Sequence, residues 1–511
     1  MLRPRQLGAL LTIALAGGGA WAQTYTVEPT LRLEETFTDN AGFGLEQDGK
    51  NAWITEIAPG ISVRRSGRRV SGSLEASLRG LFYANDSSRN DTFLSLQGRG
   101  EVEAIDDTLF IDMNAAVGRN NTSSFGGRPQ WDTLNSSSQS ETRYLRITPR
   151  LVKRFGSGDL QASVRYSGEM LSYGSDNLRD QGQGTLSVNV SDPSVGRFGW
   201  SVDYSNGKGS YGSSGIGQTP RDASQESLRG TLTYHLTRQF AVKGVAGRET
   251  NRFSSTGDES GTITGYGFDW SPTPRTSISG LTESRFFGRS YNFKVAHRQR
   301  MTSWNLSYNR DVSSSFQAAS GSLASYYYDL FSASLQSQYP DPVERDQAVR
   351  AILRSMGIPI GTSLGSTQTN AYFVERRLQA GFSLTGVRNT LAFSVNRSLR
   401  DRLGDSLAAS SVDDFANNNQ IKTTSATVSL SHQLTPSSSL NGALYWSKSD
   451  GSGGIQNQNQ NQSSDHSGLT LGATTKLGPH TSGALNYRHQ TSDSVVDSSE
   501  NTLSASLSMS F

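Results

Sequence analysis

The sequence predicts an all-β fold: a transmembrane, antiparallel, up-and-down β-barrel of about 22 strands, with one short helix in a long extracellular loop. Three observations predict it, namely an export leader, apolar–polar alternation from residue 25 to the end, and connections that alternate between short and long. Composition agrees, because only 34% of the residues are hydrophobic and the mean hydropathy is -0.50. After the leader, no stretch approaches the roughly 20 apolar residues that a spanning helix needs.

Residues 1–22 have the three parts of a secretory signal peptide. Two arginines give a positively charged start, Leu7–Ala16 is the apolar stretch, and a small-x-small cleavage motif ends at Ala22. Cleavage between Ala22 and Gln23 is therefore expected, which leaves 23–511 as the barrel domain. The alternative is an uncleaved anchor helix, but the apolar run is short and three glycines follow it. Export of this kind predicts a bacterial outer-membrane protein.

The last segment shows the strand periodicity best. Apolar side chains from Leu503 to Phe511 alternate with threonine and serine, so one face suits lipid and the other suits water. This segment also resembles the closing strand of bacterial outer-membrane proteins, which ends in an aromatic residue that the barrel-assembly machinery reads. The resemblance implies that the assembly signal consists of Leu507, Met509 and Phe511.

The connections between the predicted strands differ in length in a regular way. Gly156–Gly158 is a short connection, whereas 205–222, 313–366 and 491–500 are long ones. Outer-membrane barrels have short periplasmic turns and longer outer loops, so both termini are expected in the periplasm. A soluble β-helix is disfavoured by the lack of a fixed repeat. A soluble β-sandwich would need more continuous apolar faces.

One segment inside the predicted extracellular loop 313–366 breaks the strand pattern. Asp341 can cap a helix, proline follows in its first turn, and glutamate stands three residues after the cap. The spacing predicts a helix over 342–356, which either narrows the pore or decorates the surface. The residues expected on its apolar face are Val349, Ile352, Leu353 and Met356.

The face expected to meet water carries many charged side chains. Charge is tolerated there if the lumen is wet or if the charges pair with one another. Two interpretations stay open, an open path for a hydrated polar solute and an interior closed by ion pairs. The candidate pore-lining residues are Arg79, Arg99, Glu101, Arg146, Arg150, Lys294, Glu375 and Arg377.

Several function classes find no support in the sequence. The chain has no cysteine, and its net charge of +3 gives no reason to expect a nucleic-acid partner. The six histidines are scattered, and no zinc, nucleophile-elbow or phosphate-loop motif occurs. We therefore expect no catalytic activity, no cofactor and no metal site. The expected partners are outer-membrane lipid and lipopolysaccharide and the barrel-assembly machinery.

Five short stretches resemble an outer-membrane β-barrel family associated with the PEP-CTERM/exosortase system. They are Tyr25–Arg32, Ala58–Arg65, Gly67–Gly72, Asp341–Pro359 and Glu375–Gln379. Members of that family are typically encoded in exopolysaccharide loci. The resemblance implies a role in export or surface assembly of polysaccharide, as a conduit or scaffold, and supplies no catalytic residue. It also implies exopolysaccharide and periplasmic export proteins as partners. The barrel alone fits two other functions, a general diffusion porin and a structural barrel without transport.

Overall fold

The computed structural model describes most of the chain. It covers residues 24–43, 50–121, 123–126, 139–156, 160–174, 180–195, 197–211, 221–254, 257–314, 328, 331–332, 335–336, 345, 349, 369, 371–403, 413–453, 462–494 and 496–511. The predicted leader and its cleavage site at Ala22 and Gln23 lie outside these residues, as do Ile352, Leu353 and Met356.

The chain forms 22 strands that follow the alternating segments of the sequence. In the first half they are β1 (Thr24–Thr38), β2 (Ala52–Ser66), β3 (Val70–Tyr83), β4 (Asp91–Ile105), β5 (Leu109–Asn121), β6 (Gln139–Phe155), β7 (Leu160–Tyr173), β8 (Gln181–Val195), β9 (Phe198–Tyr211), β10 (Arg221–His235) and β11 (Phe240–Ser254). In the second half they are β12 (Gly257–Thr273), β13 (Thr276–Arg285), β14 (Gly288–Arg298), β15 (Thr302–Ser313), β16 (Phe373–Thr385), β17 (Asn389–Arg402), β18 (Gln420–Thr435), β19 (Ser438–Ser452), β20 (Ser463–Lys476), β21 (Thr481–Asp493) and β22 (Ser498–Ser510).

Each strand pairs antiparallel with the next, and β1 pairs with β22, so the sheet closes into a barrel. The closing register runs from Thr30 opposite Ser510 to Thr38 opposite Thr502. The backbone N–H of Phe511 adds a hydrogen bond of 2.9 Å to the carbonyl of Pro29. The closed sheet confirms the predicted barrel and its strand number. Closure also removes the free edges that an open sheet would expose.

Helical structure is scarce among the described residues. A single 3-10 turn spans Ser87–Arg89, and α1 (Asp414–Asn417) lies in the connection between β17 and β18. The other helical residues belong to the connection between β15 and β16, and they are Tyr328, Phe331, Ser332, Leu335, Arg345 and Val349. Within the described part of the chain, no helix is both long enough and apolar enough to cross a membrane.

The two faces of the wall differ as the alternation predicts. Leu228, Leu444 and Leu485 are each more than half exposed on the outer face, as expected of side chains that meet lipid. Aromatic side chains pair on this face near the strand ends. Phe198 and Tyr234 have ring centroids 5.0 Å apart, and Trp304 lies 4.3 Å from the Phe382 ring. Such aromatic pairs are typical of the membrane–water interface of outer-membrane barrels.

Two predicted long loops are wrong in their extent. The predicted loop 205–222 covers only 212–220, because β9 continues to Tyr211 and β10 begins at Arg221. The predicted loop 491–500 shrinks in the same way to the residues between Asp493 and Ser498. Glycine, serine and asparagine made these strand ends look like loops, yet a ladder depends on backbone groups that any residue except proline supplies. The connection between β15 and β16 is slightly longer than predicted and covers 314–372.

We call the end of the barrel where β1 begins, β22 ends and the short turns lie the periplasmic end, and the opposite end the extracellular end. At the extracellular end, the connections 255–256 and 286–287 are as short as the periplasmic turns. The strict alternation of short and long connections therefore fails around β11–β14. The short strands β13 and β14 make the wall lower there.

Candidate functional site in the barrel lumen

The eight charged residues predicted to line a pore all lie on the lumen face. Strand period two places them there, because their sequence neighbours Leu78, Leu151 and Leu378 face the outside and are exposed. The structure divides the eight into two groups. Six take part in ion pairs with wall residues. Arg99 contacts the Tyr328 ring, and Lys294 forms no ion pair with the described residues.

Arg79 of β3 is held by a neighbouring strand and by an aromatic ring. Its Nε and Nη2 donate to the two carboxylate oxygens of Glu56 on β2, at 2.9 and 2.7 Å. Its guanidinium also lies 4.9 Å from the centre of the Phe93 ring. Such bidentate pairs are the strong form of this contact, so Arg79 is a rigid part of the wall.

Glu375 of β16 lies between two arginines. Its side chain is buried and accepts from Arg377 Nη2 at 3.0 Å and from Arg400 Nε at 3.1 Å. Arg400 in turn lies 5.5 Å from the centre of the Phe373 ring. A buried carboxylate is stable only when it is paired and hydrogen-bonded, and this site meets both conditions.

Arg150 of β6 forms ion pairs with two carboxylates, one on β4 and one on β5. Its Nη2 lies 2.8 Å from Glu101 and its Nε lies 3.0 Å from Asp112. Its guanidinium stacks on the Phe110 ring at 4.3 Å. Closer to the extracellular end, Arg146 pairs with Glu169 of β7 at 2.8 Å.

Further ion pairs on the lumen face escaped the sequence analysis. Arg285 pairs with Glu249 at 2.6 Å, Arg229 with Glu283 at 3.2 Å, and Arg488 with Glu500 at 3.5 Å. Glu249, Arg285, Arg488 and Glu500 are buried. Their phase in the alternation could have placed them on the lumen face. Their pairing depends on the register between strands, which the sequence does not state.

The connection between β15 and β16 enters the lumen. Tyr328 lies on Arg99 of β4, with the guanidinium 4.7 Å from the ring centre. This contact joins distant parts of the barrel, because β4 lies far around the wall from β15 and β16, where the connection begins and ends. Cation–π contacts at exposed sites contribute about 0.5–1 kcal/mol. We call the described residues of this connection the inner segment, and they are Tyr328, Phe331, Ser332, Leu335, Gln336, Arg345 and Val349.

The inner segment reaches the periplasmic end. Gln336 accepts a hydrogen bond from Arg298, the last residue of β14 before a periplasmic turn. Ser313 and Phe373, where the connection leaves and rejoins the wall, lie at the extracellular end. The connection therefore crosses the height of the barrel. Phe331, Leu335 and Val349 of this segment are buried apolar side chains.

The predicted helix 342–356 is described only at Arg345 and Val349. Both are helical, and Val349 is completely buried. Its predicted apolar companions Ile352, Leu353 and Met356 lie outside the described residues. The helical residues between Tyr328 and Leu335 were missed by the sequence analysis, because serine and tyrosine have no strong helix preference.

The extracellular end is covered by four connections that turn inward. We call residues 39–43, 123–126, 369, 371–372 and 413–418 together the cap. Phe43 packs against the lumen-facing side chains Ile54, Leu81 and Phe93. On the other side of the barrel, a second apolar cluster is formed by Phe125, Phe373, Phe415 and Ile421. These two clusters hold apolar side chains at the mouth of an otherwise polar lumen.

Hydrogen bonds tie the cap across the mouth. Asp414 accepts from Ser123 Oγ at 2.5 Å and from Ser124 N at 2.6 Å, which joins the β17–β18 connection to the β5–β6 connection. Ser464 of β20 donates to the carbonyl of Ser124 at 2.8 Å. These bonds span strands far apart in the sheet, so they close the mouth rather than extend the wall.

A second tie crosses the mouth through Thr369. Its hydroxyl donates to Asp413 at 3.0 Å, and its carbonyl accepts from Gln181 of β8 at 3.1 Å. Both Asp413 and Gln181 are buried. The last part of the β15–β16 connection is thereby joined to the cap, so the cap and the inner segment are continuous.

On one part of the wall, formed by β4–β7 and β14, burial of the lumen face falls from the extracellular to the periplasmic end. Near the extracellular end, Thr38, Ser449 and Glu500 are completely buried. On β4–β7 and β14, the lumen face is exposed further down. We call this surface the vestibule, defined by Arg99, Glu101, Asn114, Arg154, Arg165 and Lys294, which are all exposed. The wall of β16–β18, by contrast, is buried at Ser383, Ala392 and Ser429.

The described residues offer charge, hydrogen bonds and aromatic faces, which suit binding of a polar solute. No group of three or more histidine, aspartate or glutamate side chains among them could hold a metal ion. His466, which the sequence places between Asp465 and Ser467, is buried on the lumen face. Asp465 and Ser467 point to the outer face, as residues next to it on a strand must.

The comparisons with known proteins bear on the fold. No family model matches the chain, and a search of curated proteins finds no match. Among solved structures, the FrpB iron transporter from Neisseria meningitidis is similar in two variants. One has a TM-score of 0.52 at 11% identity and covers 95% of this chain and 82% of that one. The other has a TM-score of 0.51 at 11% identity, over 95% and 81%.

A third similar structure is a mutant of the ferric enterobactin receptor from Pseudomonas aeruginosa, at 10% identity and a TM-score of 0.46, over 95% of this chain and 80% of that one. At such identities the likeness concerns the fold. Together with the closed sheet, the lipid-suited outer face and the charged lumen, the likeness to FrpB identifies this chain as a 22-stranded outer-membrane-type β-barrel.

Proposed function

We propose that the protein is a gated outer-membrane conduit for exopolysaccharide, which takes the polymer from the periplasm and takes part in its surface assembly. The proposal joins two lines of support. The polysaccharide comes from the resemblance to the PEP-CTERM/exosortase-associated family. The support for gating comes from the lumen, which is buried at the extracellular end and exposed and charged at the vestibule.

This gradient of burial is the observation that carries the proposal. A barrel of this size is too wide for wall side chains to fill, so it needs a plug or forms a channel. Here the chain supplies its own filling through the cap and the inner segment. The described residues of the filling are held by side-chain contacts, namely hydrogen bonds, a cation–π contact and apolar clusters, whereas the wall is held by continuous backbone ladders. The filling can therefore move while the wall stays intact.

A general diffusion porin is the second candidate, and the cap weighs against it. A porin has a water-filled path in its resting state. In this conformation the extracellular mouth is bridged by Asp414 and Thr369 and packed with apolar clusters. A structural barrel without transport needs neither an exposed charged vestibule nor a filling that is separable from the wall.

Secretion in the producing bacterium tests the polysaccharide part. Deleting the gene should abolish surface polysaccharide while synthesis inside the cell continues, and expression of the intact gene should restore it. Wild-type amounts of surface polysaccharide in the deletion strain would exclude this function.

Electrical recording tests the gating part. The full-length barrel in a planar bilayer should be mostly silent, and a variant in which 315–368 is replaced by a short Gly-rich turn should conduct steadily. The turn can be short because Ser313 and Phe373 already face each other in the ladder. If the intact protein conducts as well as the shortened one, the lumen is an open pore and the porin function is favoured.

A further inference from the structure

We infer that the arginines of β6 and β7 in the vestibule form a binding site for carboxylated sugars, so that the cargo is an acidic polysaccharide of the uronate type. This inference rests on the proposed function and narrows its substrate. Three residues make the site, which are Arg150 and Arg154 on β6 and Arg165 on β7. They lie on the lumen face, since Leu151, Val164 and Tyr166 are exposed on the outer face.

The register brings two of these arginines side by side. Arg150 and Arg165 are direct Cα partners across β6 and β7. Arg154 follows on the same face toward the periplasmic end, where it lies opposite Gln161. Like charges directly opposite each other destabilise a sheet, so this pairing asks for a counter-charge.

The carboxylates of the wall do not supply enough of it. Glu101 and Asp112 both bind Arg150. The side chains of Arg165 and Arg154 form no ion pair and no hydrogen bond with the described residues, and both are exposed to the lumen. Two guanidinium groups are therefore free to receive an anion from the periplasmic side.

The residue types fit a carboxylated sugar. Guanidinium presents a planar fork that matches a carboxylate with two parallel hydrogen bonds, which a neutral sugar hydroxyl does not match. Phe110, Glu101 and Asp112 hold Arg150 in place, so it contributes a fixed positive charge beside the free guanidinium of Arg165. Arg99 stands further up the same wall and holds Tyr328 of the inner segment. A polymer that enters from the periplasm meets Arg154 first, then the Arg150–Arg165 pair, and then the contact that holds the filling.

Binding to the purified full-length barrel tests the site. The probes are hexagalacturonate, which carries a carboxylate on every ring, and maltohexaose, which carries none. Calorimetry should show binding of hexagalacturonate and little binding of maltohexaose. Arg165→Gln should weaken hexagalacturonate binding about tenfold, because the charge-assisted hydrogen bonds to the carboxylate are lost. Arg154→Gln is the second variant and should act in the same direction.

Lys153→Gln is the matched control. It removes an equally exposed cation next to Arg154 on β6, but one that faces the outside of the barrel, and should change the affinity less than twofold. Heat-dependent gel mobility shows that each variant is folded. The inference is overturned if both probes bind equally, if neither binds, if Arg165→Gln has no effect, or if Lys153→Gln weakens binding as much.

The two proposals fail in different experiments. If the deletion strain still displays polysaccharide, the export function is wrong whatever the barrel binds. If secretion is lost but the barrel does not prefer hexagalacturonate, export stands and only the acidic character of the cargo is wrong.

Discussion

Gly451 of β19 lies in close contact with two residues of the cap, Asn418 and Phe125. A Cβ atom added there would lie 2.8 Å from Phe125 Cζ and still closer to the Asn418 amide. Asn418 also donates to Gln462 at 2.9 Å, so it has little room to withdraw. Glycine is needed at this position for close approach, and its backbone needs no left-handed conformation.

Gly451→Ala should therefore loosen the cap and raise the open fraction in bilayer recordings. Overpacking of this kind costs about 1–3 kcal/mol, and the cap is the part most free to give way. Gly442→Ala in the same strand is the control, because its nearest neighbour would lie at an ordinary 3.6 Å. Equal open fractions for the two variants would show that the cap does not control conduction.

Tyr328 allows a test of the inner segment with a single ring. Tyr328→Leu removes the cation–π contact with Arg99 and should shift the closed–open equilibrium toward open by about two- to fivefold. Tyr328→Phe keeps a ring over the guanidinium and should stay close to wild type. The readout is again the open fraction in a planar bilayer, and a Phe variant as open as the Leu variant would contradict the role given to the ring.

Among the elements, the strands could be predicted from the sequence and the filling could not. Alternation is a local pattern, so even the weak segment from Phe240 onward is a strand. The sequence predicts loops at the strand ends rich in glycine and serine. Composition is a poor guide there, because pairing of backbone groups alone determines where the strand ends. The inner segment was expected as an extracellular loop helix, but its route down to Arg298 depends on contacts with remote strands. No local pattern encodes such contacts.

The β1–β22 seam is the element on which closure depends, and side chains clamp its extracellular end. Asp39 accepts from the backbone N–H and from the side-chain amide of Asn501, both at 2.7 Å. Thr38 donates to Glu500 at 2.6 Å beside it. These bonds join the first and last strands of the chain.

Asp39→Ala should lower the temperature at which the folded barrel converts to the slower-migrating heated form on gels. Losing hydrogen bonds to a charged acceptor costs about 1.5–3 kcal/mol. Asp91→Ala serves as the control, since Asp91 contacts only the N–H of its neighbour Thr92 among the described residues. A seam that is stable without Asp39 would give both variants the same transition.

At the scale of the whole molecule, the predicted fold class is confirmed and the cargo stays a proposal. Period two fixes which side chains face lipid and which face the lumen, so all eight candidate residues could be placed on the correct face. Their partners, such as Glu56 for Arg79, depend on the register of neighbouring strands. The proposed substrate rests on a family resemblance and on the lumen arginines that we propose to bind it.

Phe511 concerns assembly of the whole barrel. It ends the outer-face series of β22, and its side chain is 70% exposed, so it is available for recognition. Deleting Phe511 should lower the amount of barrel in the outer membrane several-fold, without lowering the heat stability of the barrels that do assemble. Leu434→Ala is a suitable control, because it removes another exposed apolar side chain near a periplasmic turn. Equal yields of the two variants would contradict the predicted assembly signal.

The insertion point of the inner segment has a consequence for how such proteins can diversify. The segment leaves the wall after β15 and rejoins it at β16, and these two strands are paired along their whole length, from Thr302 opposite Leu384 to Ser313 opposite Phe373. The hairpin is thus complete without the residues that hang from it. That stretch could therefore be replaced during evolution by one of different length and cargo preference, while the barrel stays the same. The β15–β16 hairpin is a position at which insertions can be exchanged.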